Sequence, residues 1–224
     1  GEITRLDPPH PYITPRALEI EEIPEIVAAY RRAAEGGREA GFDGVEIHGA
    51  NGYLPDQFLQ ASSNQRTDAY GGSIPNRARF LLEITDAVLE VWGPGRTAVH
   101  LAPRGGEDPE DPTGERIFGH VARELGHRRI AFICAREPQG ETWLGPVLKA
   151  AFGGVYIANQ AFTRDSAEAL LASGQADAVA FGRLFIANPD LPRRFREHTA
   201  LNEPDPETFY GDGPEGYTDY PALP

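Results

Sequence analysis

The chain has 224 residues, and its 40% hydrophobic content is enough for a folded core and argues against wholesale disorder. Acidic residues outnumber basic ones by 34 to 21, so the net charge of −13 argues against a nucleic-acid backbone or an anionic membrane as the main partner. The one cysteine, Cys134, cannot form an internal disulfide, which favours a reducing cytoplasm. No stretch approaches the ~20 apolar residues of a transmembrane helix.

The chain contains no methionine, and its first stretch, residues 1–15, is rich in proline and lacks apolar periodicity. Such a stretch is typical of a loop within a longer protein. We therefore interpret the chain as a fragment of a longer protein.

Helical and extended patterns alternate after this stretch. The first helix is predicted over residues 15–41, where apolar residues recur every three or four positions until Gly41. A short β-branched strand is predicted over 44–48, and a polar loop over 61–75. The later strands are predicted over residues 97–102, 130–135, 155–158 and 177–181, and the later helices over 77–92, 114–126, 144–152, 164–173 and 188–197.

Strands that alternate with helices predict an α/β fold with a parallel sheet. Because a closed (β/α)₈ barrel has eight strands, the five βα units predict the C-terminal portion of such a barrel, as a single domain over residues 1–224. The missing units, at ~30 residues each, would precede Gly1. An open doubly wound sheet is the alternative, although no Gly-x-Gly-x-x-Gly motif follows any predicted strand.

Chemistry in a parallel barrel lies at the C-terminal ends of the strands. The first predicted strand ends in His48, and Asn51 and Tyr53 follow it closely. Two neutral hydrogen-bond donors suit a substrate oxygen that gains negative charge, and a phenol can deliver a proton to a carbanion. The alternative is structural, with His48 and Asn51 bonded to loop backbone and Tyr53 packed in the core.

The last predicted strand ends in Gly182 and Arg183. A glycine lets a ligand approach the backbone, and an arginine beside a helix start can hold a phosphate. An ordinary surface arginine beside a helix cap is the alternative. The loops after strands seven and eight carry the phosphate site of such barrels, which matches this position.

Two other groups of polar residues were considered as functional sites. Glu46, His48 and Asp56 could suggest a metal-assisted hydrolase, but no second His or Cys lies at ligand spacing, so no metal site is predicted. The polar segment over residues 64–77 is predicted to be a structural loop held by arginine–carboxylate pairs.

Several motifs in a fixed order resemble the old yellow enzyme family of flavin reductases. They extend from one end of the chain to the other and comprise residues 10–16, 41–54, 64–68, 70–73, 180–183, 186–191 and 215–221. This resemblance implies an FMN enzyme that takes a hydride from NADPH or NADH. The flavin would then pass a hydride to an activated alkene such as an enone or a maleimide, or to a nitro compound or nitrate ester.

The resemblance also implies roles for particular residues. His48 and Asn51 would bind the electron-withdrawing oxygen of a small-molecule substrate, and Tyr53 would be the proton donor. Tyr210 would line the substrate pocket, while Gly182 and Arg183 would bind the FMN phosphate. The sequence leaves the oligomeric state and the choice between NADPH and NADH open.

Two departures from the family pattern concern the flavin. His100 stands where an arginine that contacts the flavin ring is usual, and Asn159 and Gln160 replace a usual Gly-Gly stretch near the phosphate. Both variants resemble the bacterial xenobiotic reductase and N-ethylmaleimide reductase branch. We hypothesise that Arg104 supplies the missing charge; an Arg104→Ala variant with unchanged flavin affinity would refute this.

No segment matches the flavin-binding threonine and glutamine that the family's early strands supply. We therefore expect this chain alone to bind FMN weakly, which a stoichiometric yellow complex of the purified chain would contradict. The alternatives to a reductase are a non-catalytic barrel fragment and the metal-assisted hydrolase.

Overall fold

The computed structural model describes residues 13–103, 113–140, 142–211 and 213–224, together with the backbone of residues 2–3 and 10–11. Arg104 therefore lies outside the described residues. The chain divides into two compact units. The large unit is Glu19–Ala180, and the small unit combines Gly1–Leu18 with Phe181–Pro224. The single-domain assignment of residues 1–224 stays a prediction.

Two short strands, β1 (Glu2–Ile3) and β2 (His10–Pro11), pair antiparallel in the small unit. The large unit alternates parallel strands with helices. Its strands are β3 (Val45–Gly49), β4 (Thr97–Leu101), β5 (Phe132–Arg136), β6 (Val155–Asn159) and β7 (Ala178–Ala180). Its helices are α1 (Ile23–Glu39), α2 (Leu54–Leu59), α3 (Ile74–Trp92), α4 (Gly114–His127), α5 (Gly145–Phe152) and α6 (Arg164–Ala172).

All five strands predicted for the parallel sheet are present, and they hydrogen-bond in chain order from β3 to β7. A doubly wound sheet reverses its strand order at a switch point. The described strands show no such reversal, and this agrees with part of a barrel rather than with the doubly wound alternative.

The first predicted helix begins too early in the sequence-based assignment. Residues 13–19 have no regular structure, a 3₁₀ turn covers Ile20–Glu22, and α1 begins at Ile23. Pro24 explains the difference, because proline lacks an N–H group and its ring clashes with a preceding helical turn. A helix can accommodate Pro24 only within its first turn, where it lies.

The last predicted helix, over residues 188–197, is present in the small unit as α8 (Leu191–Glu197). A short helix before it, α7 (Arg183–Ala187), was not predicted. Pro192 lies in the first turn of α8 and sets its start. Arg194 then binds the C-terminal segment, donating to the carbonyl oxygens of Ala200 at 2.7 Å and Pro221 at 2.8 Å.

The two faces of the sheet differ in what covers them. The helix face packs against the helices: the methyl groups of Leu81 in α3 lie 3.2 and 3.5 Å from where a side chain on Gly49 would begin, and Ile47 is buried. Because side chains alternate along a strand, the residues between them define the opposite site face. Its described polar residues are Glu46, His48, His100, Cys134, Arg136 and Asn159.

The helix layer packs closely. A β-carbon on Gly126 of α4 would lie 2.3 Å from the carbonyl oxygen of Phe152 in α5, so only glycine permits this approach. Among the described helices, none is both long enough and apolar enough to cross a bilayer.

Candidate active site

The end of β3 and the turn after it carry three of the predicted site residues. His48 is the fourth residue of β3, and its side chain lies on the site face of the sheet. Asn51 has a φ of 59° and Gly52 a φ of 76°, a left-handed pair that asparagine and glycine adopt more readily than other residues. Tyr53 follows as the N-terminal cap residue of α2 and is 61% exposed. The sequence therefore brings His48, Asn51 and Tyr53 together within the short segment that joins β3 to α2.

Asp56 holds the backbone of this turn from within α2. Its carboxylate accepts a hydrogen bond from the Gly52 backbone N–H at 2.8 Å and one from Gln60 Nε2 at 2.9 Å. The residue is fully buried. Burial raises the pKa of the Asp56 carboxyl, while the bonds from Gly52 and Gln60 and the nearby His48 oppose that shift. We interpret Asp56 as a structural anchor of the turn.

The metal-hydrolase alternative required Asp56 as a ligand. Both of its carboxylate oxygens already accept hydrogen bonds from the turn and from Gln60. Within the described parts of the chain, no group of three or more His, Cys, Asp or Glu side chains could hold a metal ion.

Three aromatic rings form a row on the site face. The His48 ring lies between Tyr53 and His100, at centroid distances of 5.1 and 5.2 Å and in edge-to-face geometry with both. His100 pairs with His48 in the β3–β4 register. Burial lowers the pKa of His100 to about 4, with further contributions from His48 and Arg136, so the imidazole is neutral at pH 7.

His100 Nε2 is buried and makes no hydrogen bond to the described residues. A buried polar nitrogen without a protein partner is uncommon. A ligand with hydrogen-bonding groups on a planar edge, such as the pyrimidine edge of a flavin, would satisfy it. His100 therefore fits the cofactor contact that the sequence predicted, as a neutral group rather than a cation.

The lowered pKa of His100 predicts an acid-sensitive stability. The unfolded chain takes up a proton on His100 near pH 6.5, whereas the folded chain accepts it only near pH 4. The stability that neutral His100 contributes is therefore complete above pH 6.5 and is lost as the pH falls towards 4. Urea unfolding at pH 7 and at pH 4.5 should therefore show a smaller loss of unfolding free energy between the two pH values in His100→Asn than in the unaltered chain. The exposed His127, changed to Gln, is the control, and an unchanged pH dependence in His100→Asn would contradict the prediction.

Arg136, the last residue of β5, is a site residue that the sequence analysis missed. Its Nη1 donates a hydrogen bond to Asn51 Oδ1 at 2.7 Å. Asn159 is its neighbour in the β5–β6 register. A single arginine at a strand end has no spacing signal. Its position at the C-terminal end of a predicted barrel strand was the available clue.

Asn159 and Gln160 lie where β6 ends. Asn159 Nδ2 donates to the carbonyl oxygen of Ala180 at 3.0 Å, which ties the end of β6 to that of β7. Gln160 has a φ of 103° and Ala161 a φ of 58°. Non-glycine residues seldom adopt such angles, and the strain is typical of ligand sites. The backbone here therefore keeps a glycine-like path although side chains replace the usual Gly-Gly.

This strain predicts that glycine stabilises position 160. Gln160→Gly is expected to raise the free energy of unfolding by about 1 kcal/mol, because relief of the positive φ exceeds the added entropy of the unfolded chain. Gly153 has a φ of 70° with open space around it, so Gly153→Ala is the matched control and should lose about 1 kcal/mol. Thermal unfolding measures both, and a less stable Gln160→Gly would contradict the prediction.

The remaining predicted residues belong to the small unit. Gly182 precedes α7, and Arg183 is its exposed first residue. Asn188 is buried, and its Nδ2 donates to the carbonyl oxygens of Leu184 and Asn202. Tyr210 is 72% exposed. Phosphate binding by Gly182 and Arg183 and substrate binding by Tyr210 stay predictions.

The loop over residues 64–77 was predicted to be held by arginine–carboxylate pairs, and it contains one such pair among the described residues. Arg66 pairs with Asp68 at 2.5 Å. Arg77 instead donates to the carbonyl oxygen of Leu59 and the hydroxyl of Thr113. A β-carbon on Gly71 would lie 2.1 Å from the carbonyl oxygen of Arg66, so this loop closes only around glycine.

The chain is similar to a large group of flavin enzymes. The sequence profile of the NADH:flavin oxidoreductase / NADH oxidase family matches residues 7–202. A putative 12-oxophytodienoate reductase 12 of Oryza sativa subsp. japonica is 43% identical, over 95% of this chain and 56% of the relative. A probable flavin mononucleotide-dependent alkene reductase of Leishmania infantum is 42% identical, over 100% of this chain and 62% of the relative.

Solved structures agree with these relatives. Morphinone reductase in complex with tetrahydroNAD is 50% identical with a TM-score of 0.91, over 96% of this chain and 60% of that chain. The old yellow enzyme homologue from Zymomonas mobilis is 44% identical with a TM-score of 0.91, over 96% of this chain and 63% of that chain.

These comparisons confirm the predicted fold class. The neighbours are TIM-barrel enzymes, and the chain corresponds to a portion with five parallel strands. The chain spans about 60% of the length of the relatives and structures that it matches.

Proposed function

Since the chain belongs to the NADH:flavin oxidoreductase / NADH oxidase family, we propose that it carries the residues that bind and activate the substrate of an FMN-dependent oxidoreductase. The predicted resemblance to old yellow enzymes is confirmed. The proposed reaction uses NADPH or NADH to reduce an activated alkene such as an enone or maleimide, or a nitro compound or nitrate ester. The observation that carries the proposal is the row of Tyr53, His48 and His100 beside Asn51 at the C-terminal edge of the sheet.

His48 and Asn51 would bind the electron-withdrawing oxygen of the substrate. Both can donate hydrogen bonds: His48 lies near the end of β3, and Asn51 lies on the turn between β3 and α2. Donors fixed in advance stabilise an oxygen more as its negative charge grows, and removal of one such donor typically lowers the rate by about 10²–10³-fold. This arrangement would polarise the alkene towards hydride addition at the carbon β to the activating group.

Tyr53 would supply the proton that completes the reduction. When bound, FMN supplies the hydride that adds to the β carbon. The Tyr53 hydroxyl then gives its proton to the α carbon, so that one hydride and one proton saturate the double bond. The Tyr53 ring is in contact with His48 yet largely exposed, which leaves the hydroxyl accessible to a substrate and to solvent that restores its proton.

The residues near the proposed cofactor are compatible with FMN. The buried Nε2 of His100, which has no hydrogen-bond partner among the described residues, would meet the flavin ring edge. The strained backbone at Gln160, with Asn159 beside it, would approach the phosphate. By the family resemblance, Gly182 and Arg183 would bind the FMN phosphate, and Tyr210 would line the substrate pocket.

Two relatives support this chemistry. The Leishmania infantum relative is described as a probable flavin mononucleotide-dependent alkene reductase. Morphinone reductase has been solved in complex with tetrahydroNAD, which supports a nicotinamide as the reductant.

A flavin titration tests the proposal. Addition of the purified chain to FMN should quench the flavin fluorescence saturably, although weakly enough to require excess FMN. In that mixture, NADPH or NADH should be oxidised in an enone-dependent way. A His48→Ala, Asn51→Ala double variant should still quench FMN but lose turnover. The absence of saturable quenching would favour the alternative, a non-catalytic barrel fragment.

A further inference from the structure

Arg136 and Asn51 form the one hydrogen bond that joins β5 to the turn after β3 among the described residues. Building on the proposed function, we propose that Arg136 is a positioning residue that orients the Asn51 amide with its nitrogen towards the substrate oxygen. It thereby makes Asn51 a committed hydrogen-bond donor.

The chemistry of the two groups fixes the orientation. A guanidinium carries only donors, whereas a side-chain amide carries an acceptor oxygen at one end and a donor nitrogen at the other. Arg136 can therefore be satisfied only by Asn51 Oδ1, 2.7 Å away. The flipped amide would place N–H groups against N–H groups. Charge-assisted bonds of this kind are about twice as strong as neutral ones.

The nitrogen of the amide is left available. Asn51 Nδ2 donates no hydrogen bond to the residues that the structure describes, and the side chain is partly exposed. Without Arg136, the amide could turn its oxygen towards the substrate, and an acceptor facing the substrate oxygen would repel it. The direction of the amide therefore decides whether Asn51 assists or opposes the substrate.

Arg136 is well placed for this task. It is half-buried at the end of β5, and it is the cationic side chain among the described residues of the site face. Asp56 fixes the backbone of the turn through Gly52, and Arg136 fixes the side chain of Asn51. The two residues thus constrain different parts of the same turn.

Nuclear magnetic resonance of the chain without cofactor tests the contact. In Arg136→Met, the ¹⁵N order parameter of the Asn51 side-chain amide, assigned from Asn51→Ala, should fall towards the value of a freely rotating amide. Arg136→Lys, which keeps a long cationic donor, should retain more order. The Asn64 amide donates to the carbonyl oxygens of Phe58 and Tyr70, so it should stay ordered in every variant and report an intact fold. An ordered Asn51 amide in Arg136→Met would overturn the proposal.

A double-mutant cycle tests the consequence in the FMN-loaded chain. Arg136→Met should raise the KM for an enone by about 10-fold, as expected for one lost hydrogen bond. In the Asn51→Ala background it should have almost no further effect, because Arg136 acts through Asn51. Additive losses would overturn the inference while leaving the reductase proposal intact. A chain that shows neither FMN binding nor turnover would refute the proposed function, and the amide measurement would still decide the role of Arg136.

Discussion

Replacement of Tyr53 by phenylalanine is expected to lower the rate of alkene reduction by roughly 10²–10⁴-fold. The phenylalanine keeps the ring that contacts His48 at a centroid distance of 5.1 Å, and it removes only the hydroxyl. Hydride addition to the β carbon would then wait for a proton from water. Stopped-flow absorbance of the flavin, followed as an enone reoxidises it, measures this step directly.

Reduction of the flavin, which precedes reduction of the alkene, provides the control for Tyr53→Phe. Reduction of the flavin by NADPH or NADH needs no proton from Tyr53, so its rate should stay within about twofold of the unaltered chain, far less than a general acid contributes. Tyr217 is similarly exposed, and Tyr217→Phe should affect neither step. An equal loss in both steps would show that Tyr53 shapes the cofactor site rather than donating the proton.

Replacement of Asp56 by alanine is expected to reduce the free energy of unfolding by about 2–4 kcal/mol. The change removes the acceptor for the part-buried Gly52 backbone N–H and for the buried Gln60 Nε2, and a buried donor left without a partner costs about 1–3 kcal/mol. The same change should release the turn that presents His48, Asn51 and Tyr53. Urea unfolding measures the stability, and the enone KM should rise in parallel.

Asp56→Asn is the matched control for the loss of the acceptor. Asparagine can accept from Gly52, and the Gln60 amide can rotate to accept from its nitrogen, so stability should stay within about 1 kcal/mol of the unaltered chain. Because the pKa of Asp56 is raised, its contribution to stability is present below the unfolded-state pKa and is lost as the pH rises through the folded-state pKa. Asp56→Asn should lack that loss. Equal destabilisation by Ala and Asn would contradict the anchoring role.

Local patterns in the sequence were sufficient for the order and type of most elements. The β-branched run that became β3 and the apolar stripe of α3 bury one face each, and that periodicity is visible without a structure. The helix starts were less certain, because Pro24 and Pro192 set the first turns of α1 and α8 more strongly than the apolar stripes. The short helix α2 was not predicted, since six residues carry too little periodicity to reveal a helix.

The sequence by itself determined the fold class, the family, and the placing of His48, Asn51 and Tyr53 on one turn, because each depends on residues close together in the chain. Only the tertiary structure revealed that His100 lies against His48 and is held neutral, and that Arg136 donates to Asn51 across 85 positions of the chain. Strand register brings these side chains together, and it depends on how distant strands align. The charge and orientation of a group likewise depend on neighbours that no local pattern identifies.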